Sequence, residues 1–124
     1  MKFGIDLVSP SYTRTPTYDS LNAQAQSYEF DCIRCSMRIV IDFTDILNNE
    51  SQWPYDFDKV TENQIRLHFD MNMVGKSPDG GWPKIITRRC IGCSVKYMLY
   101  AGVNEVANSV YKITIQGITE IIDE

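Results

Sequence analysis

Between Ser36 and Phe43 the chain alternates, with Met37, Ile39, Ile41 and Phe43 on one side and Ser36, Arg38, Val40 and Asp42 on the other. A period of two sends neighbouring side chains to opposite faces of an extended strand, so the pattern predicts a half-buried strand. Ser94 to Tyr100 repeats it, with Val95, Tyr97 and Leu99 sharing a face. A third strand is expected at Gln64 to Asp70, with Ile65, Leu67 and Phe69 inward and Gln64, Arg66, His68 and Asp70 outward. A fourth runs from Val110 toward Ile122; Tyr111, Ile113 and Ile115 alternate until Gly117, where a glycine bulge would shift the phase. Phe3, Ile5 and Leu7 give a weaker first strand, and Ile85 and Ile86 fit a strand leading toward Cys90. Helix signals are short, at Thr44 to Asn49 and Asp58 to Asn63, below the length stable in isolation. The expected class is mainly β, an antiparallel sheet with little helix.

Two stretches break the alternation. Residues 9–27 are rich in Ser, Thr, Pro, Gln and Asn and read as a polar arm or loop, in which Tyr12 and Tyr18 could add contacts on binding a partner. Residues 71–83 end in Ser77-Pro78-Asp79-Gly80-Gly81-Trp82-Pro83, dense in turn formers, and read as a surface loop. Trp82 at its tip is either an exposed contact residue or folds back to cap the core. Hydrophobic residues make up 44% of the 124 and charged residues 23%, which fits one packed domain spanning 1–124 rather than a disordered chain.

The cysteines carry the main chemical signal. Cys32-Ile33-Arg34-Cys35-Ser36-Met37-Arg38 aligns with Cys90-Ile91-Gly92-Cys93-Ser94-Val95-Lys96, and each copy runs into an expected strand. A two-residue gap lets both sulfurs of a tight turn reach one ion about 2.3 Å away, and two such turns complete the tetrahedron that zinc favours. Cys32, Cys35, Cys90 and Cys93 are therefore expected to hold one structural Zn2+, since four thiolates leave no position for water or substrate.

The arrangement resembles zinc-ribbon proteins, in which two knuckles at the ends of β-hairpins clamp one zinc ion. The resemblance covers Cys32 to Ser36, Cys90 to Ser94 and the strands that follow. It departs in spacing, because residues 36–89 separate the knuckles where a compact site has roughly 15–20. Closing the longer loop costs only roughly 0.9 kcal/mol more, against roughly 10–16 kcal/mol of zinc binding. The insertion is tolerable and is expected to carry strands of its own. Redox dithiols compete as a reading, but these pairs precede strands rather than helices. Two disulfides, in an exported or virion-associated protein, are the other alternative.

Elsewhere the chemistry is sparse. His68 is the only histidine, expected on the polar face of its strand as a surface residue. There is no phosphate-cradling glycine loop, Gly-x-Ser-x-Gly elbow or His-Glu-x-x-His pair. An enzyme would have to use carboxylates; Asp42/Asp45 and Asp56/Asp58 read as solvated turns. Arg34, Arg38, Lys84, Arg88, Arg89 and Lys96 cluster around the knuckles, with Glu29 and Asp31 the nearby acids. They form either a grip for phosphates or an acidic partner, or a counter-charge to a zinc–tetrathiolate of net charge −2.

A net charge of −4 and a pI of about 4.9 weigh against nonspecific nucleic-acid binding. No apolar run reaches membrane-spanning length, and Met1 to Pro10 has no signal-peptide core, so the expected compartment is the reducing cytoplasm. The expected function is a non-catalytic, zinc-stabilised β module that binds another protein through Trp82 or a sheet edge. A nucleic-acid-associated ribbon using Arg34, Arg38, Arg88 and Arg89 is the alternative, and an enzyme or enzyme subunit the weaker one.

Overall fold

A computed structural model describes residues 1–8, 18–19, 27–47, 53–71, 82–107 and 110–122. The elements are β1 (Lys2–Val8), β2 (Tyr18–Asp19), β3 (Ser27–Asp31), β4 (Arg38–Asp42), α1 (Phe43–Leu47), α2 (Lys59–His68), β5 (Trp82–Arg89), β6 (Lys96–Ala107) and β7 (Val110–Ile122). The protein is mainly β, and among the described residues every strand pairing is antiparallel. One sheet has the order β1-β7-β6-β5, with β2 on the same edge of β7 as β1; β3 and β4 form a separate hairpin.

The long sheet is buried on both faces, which explains why Tyr97 to Val103 of β6 are inaccessible without a break. On one face, Tyr97, Leu99, Ala101 and Val103 pack with Ile86, Ile113, Ile115 and Ile118 against Cys32, Ile39, Ile41, Phe43 and Ile46 of the β3–β4 hairpin and α1. On the other, Met98, Tyr100, Ile85 and Ile121 pack against Ile65, Phe69 and Met71 of the α2 segment. At about 25 cal/mol per Å2 of apolar surface, each such side chain contributes roughly 1.5–3 kcal/mol.

The phase shift expected at Gly117 is present. Tyr100 pairs with Gly117 and Ala101 with Ile115, so Gln116 is an extra residue, and the hairpin-facing set changes from Ile113 and Ile115 to Ile118. In β1 a register shift between Phe3 and Asp6 separates Phe3, on the α2 side, from Leu7, on the hairpin side, and leaves Ile5 exposed.

The strand expected at Gln64–Asp70 is instead the C-terminal half of α2. Asp58 caps the N-terminus by accepting from the Thr61 N–H at 2.7 Å, and Glu62 pairs with Arg66 one turn on at 2.9 Å. Ile65 and Phe69 are four apart and buried, whereas Leu67 is 83% exposed, a helical face that strand alternation cannot produce. Asp70, at φ 53°, ends the helix, with the Met71 N–H donating back to the Arg66 carbonyl. The short helix expected at Asp58 to Asn63 is thus real and runs on to His68, and α1 occupies part of the expected Thr44–Asn49 helix.

The loop boundaries also move. Trp82 and Pro83 open β5, and Met71 is buried, while 72–81 lie outside the described residues. Within the polar stretch 9–27, Tyr18 and Asp19 pair with Ile113 and Lys112; Tyr12 lies outside the described residues. No helix among the described residues is long and apolar enough to cross a membrane.

Candidate metal centre

Each cysteine pair sits in the turn of a hairpin, the first between β3 and β4, the second between β5 and β6. The turns share one backbone pattern. Cys32 N–H donates to the Met37 carbonyl at 2.9 Å and Ser36 N–H to the Cys32 carbonyl at 2.9 Å; Cys90 to Val95 and Ser94 to Cys90 repeat this at 2.8 Å each. Ser36 and Ser94 both adopt φ 65°, the left-handed conformation that turns the chain back into the next strand. The sequence repeat is therefore a structural one, bond for bond.

Packing of the β3–β4 hairpin onto the long sheet brings the two turns together. All four sulfurs lie within 4.8 Å of one another. Cys32 and Cys93 sulfurs are 3.6 Å apart and those of Cys35 and Cys90 3.5 Å. These are free thiols, well beyond the roughly 2.05 Å of a disulfide. A tetrahedron with metal–sulfur bonds of about 2.3 Å has edges of about 3.8 Å, so the donor set matches a tetrathiolate shell. Cys32 and Cys90 are buried, Cys35 and Cys93 exposed.

The four thiols do not share one electrostatic environment. Burial pushes the Cys32 thiol up, but hydrogen bonds from Tyr97, the Arg34 and Cys35 N–H groups and Cys93 outweigh it and bring Cys32 down to about 6. Cys93 moves the opposite way: the Val95 N–H lowers it, yet desolvation and the Cys32 sulfur leave it raised. Of these two sulfurs, Cys32 is thus the more disposed to carry negative charge and Cys93 the less. A bound divalent cation would deprotonate coordinating thiols outright.

Tyr97, which sequence reasoning treated only as a strand residue, belongs to the site. Its hydroxyl lies 3.2 Å from the Cys32 sulfur and accepts the Ile33 N–H at 3.0 Å. Burial, above all, raises its pKa, so the hydroxyl keeps its proton and donates to sulfur. The contact crosses 65 positions of sequence and runs from the second knuckle's strand to the first knuckle's ligand. At the matching place in the other half of the repeat stands Ile39, which has no such donor.

Gly92 breaks the repeat where Arg34 would stand, and the structure supplies a cause. A Cβ on Gly92 would lie 3.1 Å from both the Cys35 sulfur and the Met37 sulfur, because Met37 lies across the second knuckle. Arg34 turns away to a bidentate pair with Glu120, Nε–Oε2 at 2.7 Å and a second bond at 2.8 Å. Glu120 is 3% exposed, reaches this side of the sheet because of the bulge at Gln116, and lies against Gly4, whose missing Cβ leaves room for the carboxylate.

The other candidate residues fall into place around this centre. Arg38 pairs with Glu29 at 3.4 Å and Asp31 at 3.6 Å, and Arg88 with Asp45 at 3.6 Å. Arg89 donates to the Ser94 carbonyl at 2.8 Å. The fold thus adds Glu120 and Asp45 to the acids that sequence proximity identified, and all four arginines have partners within the protein. Trp82 is 61% exposed rather than folded into the core, and it opens the strand that Cys90 follows, roughly 25 Å from the cysteine cluster. The aromatic and the basic residues therefore form two separate places. His68 ends α2, half-buried, stacked on Phe3 at 4.0 Å between centroids. Both Asp6, at 2.7 Å, and Thr119, at 3.1 Å, approach the same atom, Nε2, whereas a relay of the Ser-His-Asp kind uses both ring nitrogens.

No known protein family, curated protein or solved structure matches this chain. The centre's own geometry carries the functional reading.

Proposed function

We propose that Cys32, Cys35, Cys90 and Cys93 bind one Zn2+ as a structural, non-catalytic centre of the zinc-ribbon kind, and that the β module it ties together acts by binding another protein. The observation that carries the proposal is the convergence of four sulfurs, from two matching turns, within 4.8 Å. A complete thiolate shell leaves no open coordination position, which favours a tie over a catalyst. The tie would join a two-stranded hairpin to a sheet with which, among the described residues, it shares no strand pairing. A reducing compartment such as the cytoplasm would keep these thiols available to metal.

The partner half of the proposal rests on surface chemistry. The four arginines of the metal end are engaged by acids or a carbonyl, which weakens the case for a phosphate grip. Trp82 at one end and Ile91, 94% exposed, at the other are large apolar groups of the sort protein interfaces bury.

Elemental analysis of reduced protein tests the metal. One zinc per chain is expected, absent from Cys90→Ser, whose melting temperature should fall steeply because metal binding here is folding energy. A metal-free protein with four free thiols or two disulfides overturns the reading; iron in the same shell would show itself by visible absorption and correct only the metal. Titration of labelled RNA and DNA at physiological salt tests the partner class. Micromolar or tighter binding that disappears when Arg88 and Arg89 are both changed to Glu would replace protein by nucleic acid.

A further inference from the structure

The four sulfurs are chemically unequal in two ways. Cys35 and Cys93 face solvent, while Cys32 and Cys90 are 2% and 1% exposed. Each outward sulfur also has an inward sulfur of the opposite knuckle beside it, Cys35 next to Cys90 at 3.5 Å and Cys93 next to Cys32 at 3.6 Å. The inward pair differ in turn. Electron density on Cys32 is engaged by the Tyr97 hydroxyl at 3.2 Å and the Arg34 N–H at 3.4 Å, whereas among the described residues the Cys90 sulfur has its hydrogen-bond contact with the Cys35 sulfur instead.

Taking the zinc centre as proposed, we infer that it has a defined site of oxidation: the outward sulfur of Cys35 attacks a hydroperoxide, Cys90 resolves the product, and the metal leaves as a Cys35–Cys90 disulfide forms. In the first step the Cys35 thiolate displaces at the peroxide O–O bond. A sulfur–oxygen bond forms, the O–O bond breaks, and the departing oxygen takes a proton from solvent as water or an alcohol. In the second step the Cys90 thiolate attacks the Cys35 sulfur, the sulfur–oxygen bond breaks, and hydroxide leaves as water with a second solvent proton. Two thiolates, one hydroperoxide and two protons become one disulfide, one alcohol or water, and one water. Each sulfur gives up one electron to the O–O bond, and Zn2+, unchanged in oxidation state, loses two of its four ligands.

The choice between the two cross-knuckle pairs follows from Tyr97. A sulfur that accepts an O–H and an N–H is a poorer nucleophile, and its lone pairs must shed those donors before attacking. Cys32 carries that burden and Cys90 does not. Peroxide reaching Cys93 therefore gives a sulfenic acid that is resolved slowly, while the same event at Cys35 proceeds to disulfide.

The experiment uses the reduced, full chain with its zinc and thiol content measured first. One equivalent of hydrogen peroxide is added, zinc release is followed with a chromophoric chelator, and free thiols are then blocked and disulfides mapped by mass spectrometry. The expected result is one zinc released per disulfide, with Cys35–Cys90 at least fivefold more abundant than Cys32–Cys93. Tyr97→Phe should raise the Cys32–Cys93 bond to near parity. Predominance of Cys32–Cys93, or of a bond within one knuckle, overturns the inference, as does zinc released with all thiols intact or retained after oxidation of Cys35. Should Tyr97→Phe fail to fold, the wild-type map alone decides. A starting protein without metal overturns the zinc reading itself, while a loaded protein giving a different disulfide overturns only this one.

Discussion

At the scale of single residues, small departures from symmetry do most of the shaping. Gly92 leaves space for Met37 beside the Cys35 sulfur. Gly92→Ala is expected to weaken zinc binding about tenfold in competition with a chelator, the range seen when groups behind metal ligands are disturbed, while Ile91→Ala next door leaves it unchanged. Glu120 offers a different handle. The Arg34 side chain hydrogen-bonds to its carboxylate and holds it below its ordinary value of 4.5. A depressed folded pKa means stability that is present above the unfolded value and lost as pH falls through the folded one. The melting-temperature difference between the parent and Glu120→Gln should therefore be constant above about pH 5.5 and shrink below 4.5. Metal loss in acid affects both chains and cancels in that difference; a gap that persists undiminished to pH 3 would contradict the assignment.

At the scale of elements, α2 shows where pattern reading succeeds and where it fails. Ile65, Leu67 and Phe69 alternate, but Ile65 and Phe69 are also one helical turn apart, and a seven-residue window satisfies both periods. The deciding signals lay outside it, in Asp58 as cap and in Glu62 and Arg66 at i and i+4. The two assignments differ in mutagenesis. Ile65→Ala should cost roughly 2–5 kcal/mol, and Leu67→Ala, at an 83% exposed position, under about 0.5 kcal/mol by chemical denaturation. Equal, large losses would restore the strand. Strand β4 was legible because one-sided burial imposes a clean period of two, its partner β3 was not because its burial does not alternate cleanly, and the bulge in β7 was legible because glycine announced it. The four-cysteine cluster was legible because two turns share one local sequence. Tyr97 and Glu120 were not, since both act across the sheet at sequence separations that no local pattern encodes.

At the scale of the whole molecule, the layers are joined by unlike means. The face toward α2 is held by apolar packing around Phe69 and Tyr100, and the face toward the β3–β4 hairpin by apolar packing plus the four-cysteine cluster. The strand order places β7 between β6 and the pair β1 and β2, although β7 is the last described element to leave the ribosome. Cys93, the last of the four cysteines, precedes Ile122 by 29 positions, a lead of roughly 1.5–6 s at ordinary elongation rates. With metal bound as proposed, the clasp could thus close on a nascent chain before β7 has taken its place in the sheet. For that interval the ion would hold two hairpins in register while β1 waits for a neighbour that has not yet emerged from the ribosome. A chain ending at Ala107 should accordingly take up one zinc yet melt without cooperativity, and a failure to take it up would mean that the clasp closes only after synthesis is complete.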